Sequence, residues 1–398
     1  MEYHLVASGE IFARISRLQD ALVNASLSGA LVVDRINLYY FTGTIQKGIL
    51  FVPKDGEAVF FIRRSLERAQ KETALRYLVG FEHLDEVANH LKALRYDAPR
   101  LGIDESSVSV SEFKRVSRLF PDSAFEDIAW IIAGIRAVKS DYEVGLIREA
   151  GRRHKALYDQ IPEMIEEGMT EWELASRIQR SMLSLGFTGV CRLADPSTEL
   201  FAGAVNFGES GNYPTASVGP DGLVGQCAAF PFFGGHRELR PSEPIFVDTA
   251  FACQGYYTDK TRIFCLGSLP QQAVDAHQRC LEIQEAIRSR LVPGVVVSDL
   301  YEAIYEREVV GRGFTKGFMG FGTNQVRFLG HGIGLVIDEF PAIASKVKRP
   351  LKKNMVIALE PKKALEGIGL VGIENTFLVT EHGGERLTPG DDEIVTLS

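Results

Sequence analysis

Cysteine is scarce in this 398-residue chain, which has only five. Their number is odd, and no two of them form a C-x-x-C pair. The sequence therefore indicates neither a disulfide framework nor a zinc ribbon. Free cysteines suit a reducing compartment, so we expect a cytoplasmic protein. The five are Cys191, Cys227, Cys253, Cys265 and Cys280.

Long apolar runs and clusters of basic residues are also missing. No run approaches the roughly 20 apolar residues that a membrane helix needs. The N-terminus has no basic region followed by an apolar stretch, as a signal peptide would have. The net charge is −8 and the basic residues are scattered. We therefore expect no membrane partner and no nucleic-acid partner.

The length and composition predict a globular protein of two domains. At 398 residues the chain exceeds one ordinary hydrophobic core. An apolar content of 45% and a charged content of 24% are typical of globular proteins. The first third alternates helix and strand, with an Asp55-Gly56 hairpin turn. The predicted elements are a helix over residues 10–26, strands over 30–33, 38–41 and 101–103, and hairpin strands over 49–52 and 58–62.

A domain boundary is predicted between residues 135 and 136. Just after it, Ser140 and Glu143 have the spacing of a capping box, which opens a long helix. Thr170 and Glu173 repeat this signal. Two further helices are predicted, over about residues 271–291 and from residue 298.

Four carboxylates and one histidine in the C-terminal part carry most of the functional signal. Each lies in a short apolar or glycine-flanked segment. A buried carboxylate is expensive unless a cation meets it. Four negative charges would be balanced by two divalent ions, and one imidazole with hard oxygens suits Mn, Fe, Co or Zn. The predicted metal ligands are Asp248, Asp259, His331, Glu360 and Glu374.

Asp248 and Asp259 are expected on one β-hairpin. A tight turn centred on Cys253-Gln254 would place the two aspartates directly opposite each other, with Cβ atoms about 4.5–5.5 Å apart. The ions of a hydrolytic pair lie about 3.5–4 Å apart, so one hairpin can serve both. A bulge at Gly255 is the alternative that would shift this register.

These segments resemble the pita-bread metallohydrolase superfamily, which includes aminopeptidase P, prolidase, methionine aminopeptidase and creatinase. Residues 37–43 resemble the Asn-x-x-Tyr-x-x-Gly stretch of its creatinase-type N-terminal domain. Residues 136–143 resemble its Arg-x-x-Lys-Ser-x-x-Glu junction. The resemblance covers nearly the whole chain. It implies an α/β (α+β) fold, with a creatinase-type N-terminal α/β domain in residues 1–135 and a pita-bread catalytic domain in residues 136–398.

The resemblance also implies a reaction and a role for each ligand. The activity would be hydrolysis of Xaa-Pro or related short peptides by a hydroxide that bridges two divalent ions, in a homodimer. Glu360 is the expected general base. The implied roles are terminal ligands to different ions for Asp248 and Glu360, bridging ligands for Asp259 and Glu374, and an imidazole ligand for His331.

Two histidines that active members usually carry beside the metals are absent. The first would fall in residues 229–232, where no histidine stands, and His236 lies too late in the sequence unless its loop rearranges. Phe230 to Phe233 are expected to form an apolar wall instead. The second position holds Asp338, which we expect either to bind a cationic substrate nitrogen or to be an acid without a catalytic role.

Three hypotheses therefore stay open: a peptidase with altered specificity, an enzyme acting on a small non-peptide molecule in the manner of a creatinase or a lyase, and a ligand-binding protein with little catalysis. Unpaired buried carboxylates are destabilising, so a lost metal site would tend to lose its acids as well. All five predicted ligands are present, which favours a working metal-dependent hydrolase. Thr261 and Arg262 are expected to support the ligands.

Overall fold

The computed structural model describes residues 4–94, 96, 98–194, 202–215 and 219–398. The chain divides into two compact units, Met1–Arg136 and Ala137–Ser398. Among the helices of these described ranges, none combines the length and the apolar character that crossing a membrane requires.

The first unit is built on a six-stranded mixed sheet in the order β4-β3-β2-β1-β5-β6. The hairpin predicted around Asp55-Gly56 is confirmed, since β2 and β3 pair antiparallel with Phe51 opposite Val59. Apolar residues of the strands and of two helices form the core. The strands are β1 Gly29–Val32, β2 Gly48–Pro53, β3 Val59–Ile62, β4 Tyr77–Gly80, β5 Arg100–Ile103 and β6 Ala124–Asp127; the helices are α1 Ser8–Asn24, α2 Arg35–Thr42, α3 Leu66–Glu72, α4 Leu84–Ala93, α5 Val110–Ser117 and α6 Ala129–Ala137.

The strand predicted over residues 38–41 is wrong, because these residues belong to helix α2. Asp34 caps the helix by accepting hydrogen bonds from the backbone N–H groups of Ile36 and Asn37. Gly43, with a φ of 78°, ends it in the left-handed conformation that glycine adopts readily. These local signals at the two ends outweigh the strand propensity of the aromatic residues between them.

The second unit begins with the two helices whose capping boxes the sequence shows. Ser140 with Glu143 and Thr170 with Glu173 form both hydrogen bonds of each box, which confirms these predictions. Helix α7 packs on the hairpin that carries the two aspartates. Within the described ranges, the α-helices of this unit are α7 Asp141–Tyr158, α8 Glu171–Ser184, α9 Gln271–Arg288 and α10 Val297–Ile304, the last continued by a π-helical turn over Tyr305–Val310.

The strands in the described part of the second unit form three small sheets. Their orders are β16-β9-β8-β7, β10-β11-β14-β15 and the pair β12-β13. A large apolar core lies between the second of these sheets and helices α9 and α10. The strands are β7 Gly203–Phe207, β8 Ile245–Cys253, β9 Tyr256–Leu266, β10 Gly330–Gly332, β11 Val356–Leu359, β12 Lys362–Leu365, β13 Gly369–Gly372, β14 Asn375–Thr380, β15 Gly383–Arg386 and β16 Val395–Leu397.

The predicted register of the aspartate hairpin is wrong. Asp248 lies opposite Thr261, and Asp259 lies opposite Ala250. The turn consists of Gln254 and Gly255, which both have positive φ, at 49° and 87°. A two-residue turn in which both residues have positive φ matches the twist of the flanking strands, and glycine is favoured at its second position. The two aspartates therefore share one face of the hairpin but are diagonal neighbours.

Candidate metal centre

All five predicted ligands line one cavity in the second unit. Asp248 and Asp259 come from the β8–β9 hairpin, and His331 from β10, where it lies opposite Ala358 of β11. Glu360 follows the end of β11. Glu374 lies between β13 and β14, joined to the hairpin by a bridge to Thr261. Strand pairing thus brings together side chains that are far apart in sequence.

Three of these residues form a cluster with the donor spacing of a metal site. One ligand atom each of Asp259, His331 and Glu374 lies within 4.8 Å of the other two. Glu374 Oε1 is buried and has no hydrogen-bond partner. His331 Nε2 lies 3.6 Å from this oxygen and 3.4 Å from Glu360 Oε1. An unpartnered buried carboxylate oxygen beside an imidazole fits a divalent ion.

Lys362 lies on the other side of these carboxylates, and the sequence analysis did not find it. Its Nζ donates to Asp248 Oδ2 at 2.6 Å, and to Glu360 Oε2 and Glu374 Oε2, both at 2.9 Å. Only 1% of the lysine side chain is exposed. The signal was present, because Lys362 stands two places after Glu360 at the start of a strand and so reaches the same site.

Burial and these cations set the protonation of the ligands. Burial raises the pKa of Asp248 and that of Glu360 to about 7, although Lys362 opposes the rise. Burial would raise the pKa of Glu374 as well, but Lys362 and His331 outweigh it and lower that pKa to about 2. Burial opposes charge on His331, but Glu374 and Glu360 raise its pKa to about 10. A metal ion must therefore displace protons from this site.

Backbone and hydroxyl groups hold the ligands in place. Thr261 Oγ1 donates to Glu374 Oε2 at 3.2 Å. Arg262 Nη1 donates to the backbone oxygen of Glu374 at 3.0 Å. Thr376 Oγ1 accepts from the backbone N–H of Asp259 at 2.9 Å. Both residues that the sequence singled out as supports, Thr261 and Arg262, therefore contact Glu374.

The cavity has a volume of about 320 Å³ and a strongly acidic lining. Among the described lining residues, Lys362 and His331 are the only basic side chains. Glu339 is neutralised by Lys139, whose Nζ lies 3.2 Å from it in a buried ion pair. Asp221 is a further acid that the sequence did not reveal. The lining carboxylates are Asp221, Asp248, Asp259, Asp338, Glu339, Glu360 and Glu374.

Asp338 lies at the cavity, where the sequence predicts it. Its Oδ1 accepts a hydrogen bond from the backbone N–H of Ala194 at 2.6 Å. Burial raises the pKa of its carboxyl group, and this hydrogen bond opposes the rise. The side chain is thus fixed by one oxygen and lines the cavity.

The predicted apolar wall does not line the described part of the cavity, so that prediction is wrong. Phe232 and Phe233 are buried elsewhere, and the Phe233 ring lies 6.4 Å from that of Trp172. Phe233 has a φ of 72°, which turns its side chain out of a regular strand direction. His236 is exposed and does not line the described cavity either.

Two family patterns match the chain. Metallopeptidase family M24 matches residues 145–381, and the creatinase/prolidase N-terminal domain matches residues 14–138. These matches confirm the resemblance to the pita-bread superfamily. They also confirm the predicted fold class, in which a creatinase-type N-terminal α/β domain precedes a pita-bread catalytic domain.

Similar proteins extend over almost the same length. A Xaa-Pro dipeptidase of Pyrococcus furiosus is 26% identical over 387 residues, which cover 96% of this chain and 99% of the relative. The solved structure of a Xaa-Pro dipeptidase from Bacillus anthracis has a TM-score of 0.80 and 23% identity, and covers 97% of this chain and 100% of that one. The structure of an X-Pro aminopeptidase from Thermotoga maritima MSB8 has a TM-score of 0.79 and 23% identity, and the match covers 96% of this chain and 99% of that one. The two structures support the same fold.

Proposed function

The chain belongs to metallopeptidase family M24 and is a metal-dependent hydrolase, and from that premise we propose that it cleaves Xaa-Pro dipeptides or related short peptides after the first residue. The observation that carries this proposal is the Asp259–His331–Glu374 cluster at the floor of a small acidic cavity. Proteins similar over the full length are named Xaa-Pro dipeptidase and X-Pro aminopeptidase. These names favour the peptidase hypothesis over a non-peptide substrate or ligand binding alone.

The size of the cavity supports a short substrate. Its volume of about 320 Å³ is near the lower end of the roughly 300–1,000 Å³ that ligand pockets span. A dipeptide with a compact proline ring suits such a space better than a long peptide does.

The charge of the cavity supports a substrate with a free amino group. A protonated amine is attracted to the excess of carboxylates that line the cavity. We assign Asp338 as the acid that binds this amino group. Asp338 keeps one oxygen free of the Ala194 hydrogen bond for this contact. A charged hydrogen bond of this kind contributes about 1.5–3 kcal/mol.

The residues present fit a divalent ion, held by Asp259, His331 and Glu374 with Glu360 beside them. When bound, such an ion polarises a substrate carbonyl and lowers the pKa of water. Glu360 is the general base in this proposal. Its Oε1 lies 3.4 Å from His331 Nε2, so this carboxylate is close to the place where the ion would be held.

Finer features rest on the resemblance. It implies two ions, of Mn, Co, Zn or Fe, with Asp248 as a further ligand; we take manganese as the first metal to test. A homodimer and a cytoplasmic location are proposed as well, the latter because all five cysteines are free thiols. Residues 1–135 would serve as the creatinase-type domain and residues 136–398 as the catalytic domain.

The test is hydrolysis of Ala-Pro by the full chain supplied with Mn, Co, Zn or Fe. We expect metal-dependent release of alanine, and little cleavage of N-acetyl-Ala-Pro, which lacks the cationic amine. The Asp338→Asn variant should raise the KM for Ala-Pro by about 10–100-fold, the equivalent of about 1.5–3 kcal/mol. No turnover of any short Xaa-Pro peptide with any of the four metals would refute the proposed function. Equal cleavage of the acetylated peptide would refute the role of Asp338.

A further inference from the structure

The ammonium group of Lys362 is fully hydrogen-bonded inside the predicted metal centre. A lysine ammonium has three N–H donors. Each of the three carboxylates at 2.6–2.9 Å takes one of them. A side chain that is 1% exposed cannot turn to solvent. Leaving the site would therefore require Lys362 to find three other acceptors within the protein interior.

The backbone fixes Lys362 in this position. Lys362 lies opposite Gly372 in the β12–β13 pair. Gly372 has a φ of 151°, and a Cβ added there would lie 2.6 Å from Lys362 Cα. The close approach that only glycine allows holds the start of β12 against its partner strand, so the lysine side chain extends into the centre from a fixed point.

Two of the carboxylates, those of Glu360 and Glu374, contact Lys362 with one oxygen and face His331 with the other. Glu360 and Glu374 each direct Oε2 at the ammonium and Oε1 towards His331 Nε2. They thus bridge the two cationic groups, whereas the resemblance implies a terminal role for Glu360 and a bridging role for Asp259. Asp248 has its hydrogen bond on the lysine side alone. Asp259 belongs to the histidine side, in the cluster with His331 and Glu374.

We propose that the Lys362 ammonium permanently occupies one of the two ion positions that the resemblance implies, and that this centre therefore binds a single divalent ion, on the His331 side, rather than two. A transition-metal ion needs carboxylate oxygens at about 2.0–2.2 Å. A second ion placed among Asp248 Oδ2, Glu360 Oε2 and Glu374 Oε2 would compete for three oxygens that already accept from the ammonium. Asp248 belongs to no group of three close metal donors within the described ranges.

The position beside His331 keeps carboxylate oxygens that the Lys362 ammonium does not occupy and that an ion can bind. Glu374 Oε1 is buried and unpartnered, and it faces the histidine. Glu360 Oε1 faces the same nitrogen. Lys362 then acts as a positioning residue, since it fixes one oxygen of each bridging carboxylate and neutralises Asp248. This inference deepens the proposed function and rests on it for the presence of a metal.

The experiment counts ions without using activity. The full chain is stripped with a chelator, loaded with excess Mn²⁺, passed through a desalting column, and measured for manganese per chain by mass spectrometry. We expect about one ion for the natural chain and about two for Lys362→Met, which removes the ammonium and keeps the apolar stem. Lys363→Met is the matched control. The Lys363 ammonium donates to the backbone oxygens of Phe314 and Lys316 and contacts no ligand, so this variant should retain one ion.

Two ions in the natural chain, or none, would overturn the proposal. An unchanged count in a folded Lys362→Met variant would overturn it too. If that variant does not fold, the electron paramagnetic resonance spectrum of the natural chain decides. An isolated Mn²⁺ pattern supports a single ion, and an exchange-coupled pair contradicts it. One ion per chain without any peptide cleavage would support this proposal and refute the proposed function, so the two failures are distinguishable.

Discussion

Replacing Lys362 with methionine should destabilise the metal-free protein and make it unusually responsive to metal. In the absence of an ion, the ammonium is the cation that meets Asp248, Glu360 and Glu374 in a place hidden from solvent. Removing one partner of a buried ion pair costs about 3–5 kcal/mol, because the other charge stays buried without compensation. For a domain of this size each kcal/mol corresponds to about 2–4 °C, so the melting temperature should fall by about 6–20 °C.

Added metal should reverse much of this loss. An ion at 100 times its dissociation constant stabilises the folded state by about 2.7 kcal/mol for each site it fills. The natural chain has one site to fill in our account, and Lys362→Met has two. Excess Mn²⁺ should therefore raise the melting temperature of the variant by about twice as much as that of the natural chain.

Thermal unfolding of both proteins with chelator and with Mn²⁺ measures these shifts, and Lys363→Met is the control. That variant leaves two backbone oxygens without their donor, so it should lose stability too. The difference in melting temperature between Lys363→Met and the natural chain should be the same with chelator and with Mn²⁺, because metal should stabilise both proteins equally. If Lys362→Met is as stable as the natural chain without metal, or if metal stabilises all three proteins equally, Lys362 does not occupy an ion position.

Three further outcomes are expected. Thr261→Val removes the hydroxyl that donates to Glu374 at 3.2 Å, so the variant should bind metal about 10–100-fold more weakly. Calorimetric titration measures this affinity, and an unchanged value would contradict the supporting role of Thr261. Burial lowers the pKa of His154 well below 6.5, so the folded state does not take up the proton that the unfolded chain binds below that pH, and stability is lost as pH falls. Denaturant unfolding between pH 5 and 6.5 should show that the free energy of unfolding of His154→Phe changes less with pH than that of the natural chain. The difference in slope should be at most about 1.4 kcal/mol per pH unit, and identical slopes would contradict this role of His154. Asp34→Ala removes the cap of helix α2 and should cost about 0.5–2 kcal/mol in the unfolding of the N-terminal part of the chain, with no change in metal count.

The capping-box signals of the sequence were reliable because they are local. The capping boxes at Ser140 and Thr170 depend on residues three places apart, and the structure forms both. The hairpin register was harder to predict. Strands β8 and β9 are buried on both faces, so no alternation of apolar and polar residues fixes the pairing. The turn at Gln254 and Gly255 decides it, through their positive φ.

The acids of the centre were visible because carboxylates in apolar strands need a cation. The same reasoning applies to a lysine in such a strand, but the sequence alone does not distinguish Lys362 from the adjacent Lys363, which lies outside the centre. Asp221 and the Lys139–Glu339 pair had no such signal, since their partners lie far away in sequence. Their approach depends on how loops and strands meet in space, which a pattern of neighbours does not encode.

A crystal structure of the manganese-loaded protein, with anomalous scattering recorded for Mn²⁺, would show how many ions the centre binds and where the Lys362 ammonium lies. We expect one anomalous peak in the second unit, bound by Asp259, His331 and Glu374, with the Lys362 ammonium still hydrogen-bonded to Asp248. Two peaks about 3.5–4 Å apart, with Lys362 displaced from Asp248, would contradict this expectation.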